Sequence, residues 1–91
     1  DQLDAVDLQG VVERLEAIDR HGAWVRPTLE LIERHPGRRA PDLAAELGRE
    51  AKQFKANVRR LKELGLTESL EVGYRLSLRG GVVLAALKQR P

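Results

Sequence analysis

The segment "LAAELGREAKQFKANVRRLKELGL", Leu43 to Leu66, decides how this chain folds. It carries a glycine near each end, Gly48 and Gly65, and glycine readily takes the left-handed conformation that ends a helix. Between the two glycines, apolar and basic residues recur at helical spacing. The pattern predicts a short helix ending at Gly48, a tight turn, and a longer helix over residues 51–64.

The longer helix has two different faces. At about 100° of rotation per residue, Phe54, Val58 and Leu61 fall within about 60° of one another, so we expect them to be its buried anchors. A second sector, centred roughly 130° away from the first, is mostly basic and holds Lys52, Lys55, Ala56, Arg59 and Lys62. This sector is either a surface that binds a polyanion or a solvated face that only aids solubility.

Length and composition indicate one small domain, residues 1–91. A chain of 91 residues can close a single modest core, and 42% apolar with 33% charged residues is typical of a folded, solvated helical domain. No apolar run approaches the ~18 residues of a membrane span, and no signal-peptide pattern opens the chain. We therefore expect no membrane association and a cytoplasmic protein. The missing initial Met suggests a processed chain or an excised fragment.

The charge is unevenly distributed along the chain. Residues 1–20 contain two basic and six acidic residues, whereas residues 38–62 contain eight basic and three acidic ones. The small net charge of +2 therefore conceals a local basic region. A local basic region attracts polyanions.

Catalytic and metal-binding patterns are not visible in the sequence. Cysteine is absent, which excludes disulfides, thiolate catalysis and cysteine-ligated zinc. Ser69 and Ser77 lie in no nucleophile motif, and His21 and His35 share no ligand spacing with carboxylates. We expect neither an enzyme nor a cofactor or metal site.

The chain before the opening segment is expected to be helical. Apolar residues repeat at three and four positions from Leu8, which predicts an N-terminal helix within residues 1–22, capped by Asp4 or Asp7 and closed by Gly22. A second helix follows, with Pro27 in its first turn. A short extended piece over residues 38–40 separates it from the helix that ends at Gly48.

The chain after the opening segment changes its pattern. Around Val72 and Gly73 the residues alternate in the manner of strands, which predicts a small β-hairpin. Ser77 is a suitable cap for a C-terminal helix over residues 78–90. The predicted fold is mainly α with one small hairpin.

In this order the elements resemble the winged helix-turn-helix domains of bacterial transcription regulators of the MarR and ArsR families. The resemblance covers about Trp24 to Leu87 and is strongest in "DLAAELGREAKQFKANVRRLKELGL", while "YRLSLRG" is similar to the exit from the wing. It implies a three-helix core plus wing over residues 24–78, flanked by the N- and C-terminal helices. The block is also similar to C-terminal winged-helix segments of actinobacterial proteins that carry an ASCH domain, a module assigned to RNA binding.

The resemblance implies sequence-specific binding of double-stranded DNA by a transcription regulator or by the DNA-binding module of a larger protein. The residues it places toward the major groove are Lys52, Gln53, Lys55, Ala56 and Arg59. Of these, Arg59 or Lys52 would bind guanine. The residues expected to neutralise phosphates are Arg38, Arg39, Arg60 and Lys62, and Arg49 and Arg75 complete the candidate interface.

Two regions depart from the family pattern. Arg49 and Glu50 follow the turn glycine, where the family usually has an apolar residue and then a small hydroxyl residue. Glu68 and Glu71 lie near the wing tip, where DNA-binding members often carry basic residues, and only Arg75 offsets them. The acidic wing favours a winged helix that binds another protein as one alternative. The resemblance to ASCH-domain proteins suggests a module that binds RNA as another.

The apolar stripe of the N-terminal helix has two possible uses. It can pack within the chain, or it can pair with its counterpart in a homodimer, and the C-terminal "VVLAAL" is the expected contact in either case.

Overall fold

The computed structural model describes the backbone of residues 5–89 and the side chains of residues 7–89. These residues are mainly helical, with a small two-stranded antiparallel hairpin, as the sequence predicted. The elements are α1 (Ala5–Ile18), α2 (Val25–Arg34), α3 (Ala40–Glu46), α4 (Ala51–Glu63), β1 (Thr67–Ser69), β2 (Tyr74–Leu76) and α5 (Leu78–Lys88). Within the described part of the chain, no helix is long and apolar enough to cross a membrane.

The two glycines of the opening segment lie where the sequence placed them. Gly48 has φ of +66° between α3 and α4, and Gly65 has φ of +78° after α4. The Arg49 amide donates to the Ala44 carbonyl at 2.9 Å, which folds the chain back after α3. A left-handed glycine at each point therefore sets the length of α4.

The N-terminal helix is shorter than the predicted 1–22. It ends at Ile18, and Gly22, with φ of +63°, lies in the following turn and does not close the helix. Asp7 lies inside the first turn of α1, so it is not the cap. The other predicted cap, Asp4, is outside the described residues.

The connection between α1 and α2 is organised by the Asp19 side chain. Its carboxylate accepts hydrogen bonds from the backbone amides of Ala23, Trp24 and Val25 at 2.8, 3.0 and 2.7 Å. These are amides at the start of α2, where a helix has no internal acceptor for them. Asp19 is buried, with 9% of its surface exposed, because it satisfies these donors.

The piece predicted to be extended over residues 38–40 is extended at Arg39, with φ of −72° and ψ of 151°, but it forms no strand in the described chain. Ala40 already begins α3, where it is buried. The Gly37 amide donates to the Tyr74 carbonyl of β2 at 3.0 Å, and a Cβ atom at Gly73 would overlap the backbone of Gly37 and Arg38. This close approach fixes the loop end of the hairpin against the α2–α3 connection.

The core consists of two adjoining clusters. The first lies among α1, α2, α5 and the C-terminal part of α4, and includes Leu15, Leu29, Leu61 and Leu84. The second lies among α2, α3 and α4, and the predicted anchors of α4 are all buried: Phe54, Val58 and Leu61. The apolar stripe of α1 is thus used inside the chain, against α5.

Candidate functional site

The outer face of α4 carries a row of cations. We call Lys52, Lys55, Arg59 and Lys62 the basic stripe. All four are exposed, because the opposite side of α4 packs against α3. The structure therefore gives α4 the two faces that its residue spacing predicted.

The cations of the basic stripe are scarcely neutralised by the chain itself. Among the side chains that the structure describes, Lys52, Lys55 and Arg59 have no hydrogen-bond or ion-pair partner. The ammonium of Lys62 donates to the Ser69 hydroxyl of β1 at 3.3 Å, which is a neutral partner. The stripe thus presents several positive charges with no acidic side chain bound to them.

A groove runs between α4 and the hairpin. The α4–hairpin groove is lined by Lys55, Val58, Arg59, Lys62, Ser69 and Tyr74. Beyond Lys55, Ser69 and Tyr74 it continues toward the start of α3, where Arg39 and the acidic Glu71 join the lining. Three of the six residues that line the groove beside α4 are therefore cations, and Ser69 and Tyr74 add two hydroxyl groups.

Tyr74 links the groove to the core. Its ring is half-buried and lies 6.3 Å from the ring of Phe54, with the planes tilted by 57°. Burial raises the pKa of Tyr74 above the ordinary value of 10.0, because desolvation disfavours the phenolate. Tyr74 thus stays protonated near neutral pH, so its hydroxyl can donate a hydrogen bond to an anion.

Two predicted contact residues face the α1–α2 connection instead of the groove. The guanidinium of Arg60 lies over the Trp24 ring, 5.6 Å from its centroid. Arg49 is half-buried and donates to the Ala23 carbonyl at 2.8 Å. The Arg60 guanidinium holds α4 against this connection, and the Arg49 guanidinium holds the turn between α3 and α4 against it. Both therefore lie apart from the basic stripe.

Two further predicted arginines are paired with carboxylates. Arg38 forms an ion pair with Glu46 of α3, and Arg75 forms one with Glu68 across the hairpin at 2.7 Å. Glu68 and Arg75 are register partners in the sheet, on the face opposite Ser69 and Tyr74 because side chains alternate along a strand. Arg75 is thus directed away from the α4–hairpin groove.

The remaining predicted residues lie on or beside α4's exposed surface. Ala56 is exposed, and the exposed Gln53 side chain donates to Asn57 at 3.1 Å. Of the predicted set, the structure brings Arg39, Lys55, Arg59 and Lys62 together around the groove, with Lys52 at the start of the stripe. The sequence reading missed the two hydroxyl residues, although the pairing of Ser69 with Tyr74 follows from the hairpin.

A second cleft lies away from the basic stripe, between α1, α2 and α5. Its volume is 260 Å³, below the roughly 300–1,000 Å³ of drug-sized ligand sites. The Asp19 carboxylate that lines it already accepts three amides. This cleft therefore offers little for a small molecule to bind.

No protein-family model, curated protein or solved structure matches this chain.

Proposed function

We propose that this chain is a winged helix-turn-helix domain that binds double-stranded DNA, as a transcription regulator or as the DNA-binding module of a larger protein. In this proposal α3, the turn at Gly48 and α4 form the helix-turn-helix, α4 is the recognition helix, and the hairpin is the wing. The order of the elements and the left-handed Gly48 support the assignment.

The basic stripe is the observation that carries the proposal. It lies on a helix of 13 residues, about 20 Å long, whose other side is anchored in the core by Phe54, Val58 and Leu61. A major groove about 12 Å wide admits one α-helix. An anchored helix that presents unneutralised cations is suited to that groove, since its orientation is fixed before binding.

The surrounding residues fit different parts of a duplex. Lys52, Lys55 and Arg59 lie on the exposed face and are assigned to base edges and nearby phosphates. Lys62, Ser69 and Tyr74 line the groove beside α4 and are assigned to the sugar-phosphate backbone. Arg39 extends this phosphate-binding surface toward α3, because it lines the continuation of the groove.

A matched pair of double variants tests the assignment. Lys55→Ala with Arg59→Ala removes two cations from the stripe, and Arg14→Ala with Arg20→Ala removes two from exposed positions on or just after α1. With contacts worth about 1–3 kcal/mol each, the first variant should lose at least about 30-fold in duplex affinity. Fluorescence anisotropy of a labelled duplex measures both. Equal affinity of the two variants would refute the proposal.

Competition between nucleic acids tests the class of ligand. Unlabelled duplex DNA should displace the labelled duplex more effectively than duplex RNA or single strands do, because the deep, narrow major groove of RNA excludes side chains. Displacement by duplex RNA at lower concentration would favour the RNA-binding alternative.

A further inference from the structure

Asn57 is a buried polar residue in the middle of α4. It is 4% exposed, and the other buried residues of this helix are all apolar, namely Phe54, Val58 and Leu61. Burying an amide costs free energy unless its hydrogen bonds are satisfied, and asparagine has a low helix propensity. Packing alone therefore gives no reason for an asparagine at this position.

The Asn57 amide is only half satisfied. Its Oδ1 atom accepts a hydrogen bond from the Nε2 group of Gln53, one helical turn earlier, at 3.1 Å. Its Nδ2 group is buried and makes no hydrogen bond with any residue that the structure describes. An apolar side chain at position 57 would leave no buried group unsatisfied, because Gln53 is exposed and can bond to water instead. Asn57 therefore adds little to stability, and what it does in the described chain is hold Gln53.

Gln53 lies where a recognition helix contacts bases. It is the third residue of α4, which begins at Ala51, and residues at the start of such a helix reach base edges in the major groove. At about 100° per residue, Gln53 lies at one edge of the exposed surface of α4 and Lys62 at the other, with Lys52 between them. The exposed Ala56, one turn after Gln53, is too short to cover its amide. The amide is thus open to a ligand.

The bond to Asn57 leaves Gln53 with the groups that recognise adenine. A glutamine amide has two N–H donors and one carbonyl oxygen. One donor is used by Asn57, while the second donor and the Oε1 atom have no partner among the described residues. The oxygen can accept from the adenine N6 amino group and the remaining N–H can donate to N7, which is the bidentate pairing of glutamine with adenine.

We propose that Gln53 reads an adenine in the major groove and that Asn57 is the positioning residue that holds its amide. This inference rests on the proposed function, because it requires α4 to lie in that groove. A free glutamine side chain loses rotamer freedom when it binds. The hydrogen bond to Asn57 restricts Gln53 before binding, so less freedom is lost on contact with the base. The buried amide thus serves base selectivity.

Replacement of a single base atom tests the contact of Gln53. A duplex selected by the unmodified chain from a randomised library supplies the site. Each adenine of that site is then replaced in turn by 7-deazaadenine, which lacks the N7 acceptor but still pairs with thymine. At one adenine the replacement should weaken binding of the unmodified chain by about 5-fold, the loss of one hydrogen bond. Gln53→Ala should bind the two duplexes equally in fluorescence anisotropy.

Gln9→Ala is the matched control for Gln53→Ala. Gln9 is an exposed glutamine of α1 that donates to Glu13 four residues later, just as Gln53 donates to Asn57. Because α1 is outside the proposed interface, this variant should keep the full difference between the adenine and 7-deazaadenine duplexes.

Asn57→Leu separates positioning from a structural role. Leucine has a similar size and leaves no buried amide, so the free energy of unfolding in urea should not fall. The difference between the two duplexes should nevertheless shrink toward none, with affinity for the 7-deazaadenine duplex unchanged. In the free protein, ¹⁵N relaxation of the Gln53 side-chain amide should show more motion in Asn57→Leu than in the unmodified chain, in which Gln53 should be more rigid than Gln9.

The outcomes distinguish this inference from the proposed function. A chain that binds no duplex overturns both. A chain that binds duplex DNA overturns the inference alone if no adenine N7 matters, or if Gln53→Ala still responds to 7-deazaadenine. An Asn57→Leu variant that keeps the response overturns the positioning role. If that variant does not fold, the role is decided in the unmodified chain, where a Gln53 amide as mobile as that of Gln9 overturns it.

Discussion

The contact between α5 and Leu66 makes a specific prediction about two neighbouring glycines. Gly80→Ala should destabilise the fold, and Gly81→Ala, one residue further along the same helix, should stabilise it. A Cβ atom at Gly80 would overlap the Leu66 carbonyl oxygen and lie 2.9 Å from the carbonyl carbon. Because the obstacle is backbone, α5 itself has to move away.

The size of the effect follows from what that movement disturbs. Overpacking of a core costs about 1–3 kcal/mol. Stretching the hydrogen bond from the Ser77 amide to the Leu66 carbonyl, now 3.1 Å, costs about 1 kcal/mol more. Alanine has a higher helix propensity than glycine, which stabilises the variant by about 1 kcal/mol. Gly80→Ala should therefore lose about 2 kcal/mol net, whereas Gly81→Ala, where a Cβ atom would meet nothing within 4 Å, keeps the gain of about 1 kcal/mol.

Urea unfolding followed by circular dichroism measures both free energies of unfolding. The protein should be kept dilute, so that association between chains does not contribute to its stability. The two variants should differ by about 3 kcal/mol, a large part of the roughly 5–14 kcal/mol expected for a chain of this size. If Gly80→Ala is as stable as Gly81→Ala, α5 does not lie against Leu66 as described.

Three other properties can be measured on the same protein. Asp19→Ala should lower the free energy of unfolding by about 2–4 kcal/mol, because it leaves three amides without their charged acceptor. Asp42 is exposed and makes no cap bond, so the control Asp42→Ala should change this free energy by less than about 0.5 kcal/mol. Urea titrations measure both. Burial raises the pKa of Tyr74 above 10.0, so the unfolded chain loses the phenolic proton at lower pH than the folded chain does. The free energy of unfolding should therefore fall as pH rises past about 10. Tyr74→Phe should lack that part of the decline, and the same dependence on pH in both proteins would contradict this prediction. If Arg39 and each cation of the basic stripe neutralise one phosphate, the logarithm of duplex affinity should fall with the logarithm of salt with a slope of about −4.5. After Lys55→Ala with Arg59→Ala the slope should be about −2.7, and equal slopes would remove these two side chains from the interface.

The parts of the fold that were predictable depend on local rules. The faces of α4 follow from the spacing of Phe54, Val58 and Leu61, and the helix ends follow from Gly48 and Gly65. Each of these relations involves residues close in the sequence, where the helical period and left-handed glycine act directly. The cap of α5 by Ser77 was predictable for the same reason, and its hydroxyl accepts from the Gly80 amide at 2.9 Å.

The rest depends on contacts between distant segments. The α1 boundary was wrong because the Asp19 carboxylate reaches forward to α2, and the pattern of apolar residues carries no sign of that bond. The sequence alone also gave no reason to distinguish Gly80 from Gly81, since only the position of Leu66 separates them. In the site, the sequence does not distinguish Arg49 and Arg60 from the neighbouring cations. Their contacts with Ala23 and Trp24 join segments that are far apart in the sequence.

The position of Trp24 also makes the chain its own spectroscopic probe. Trp24 is the sole tryptophan of the sequence, and it is half-buried beneath the Arg60 guanidinium of α4. Indole emission depends on nearby charge and on access of water, so any displacement of α4 relative to the α1–α2 connection should alter the fluorescence of Trp24. Equilibrium titrations and stopped-flow mixing can thus follow this helix without an attached dye.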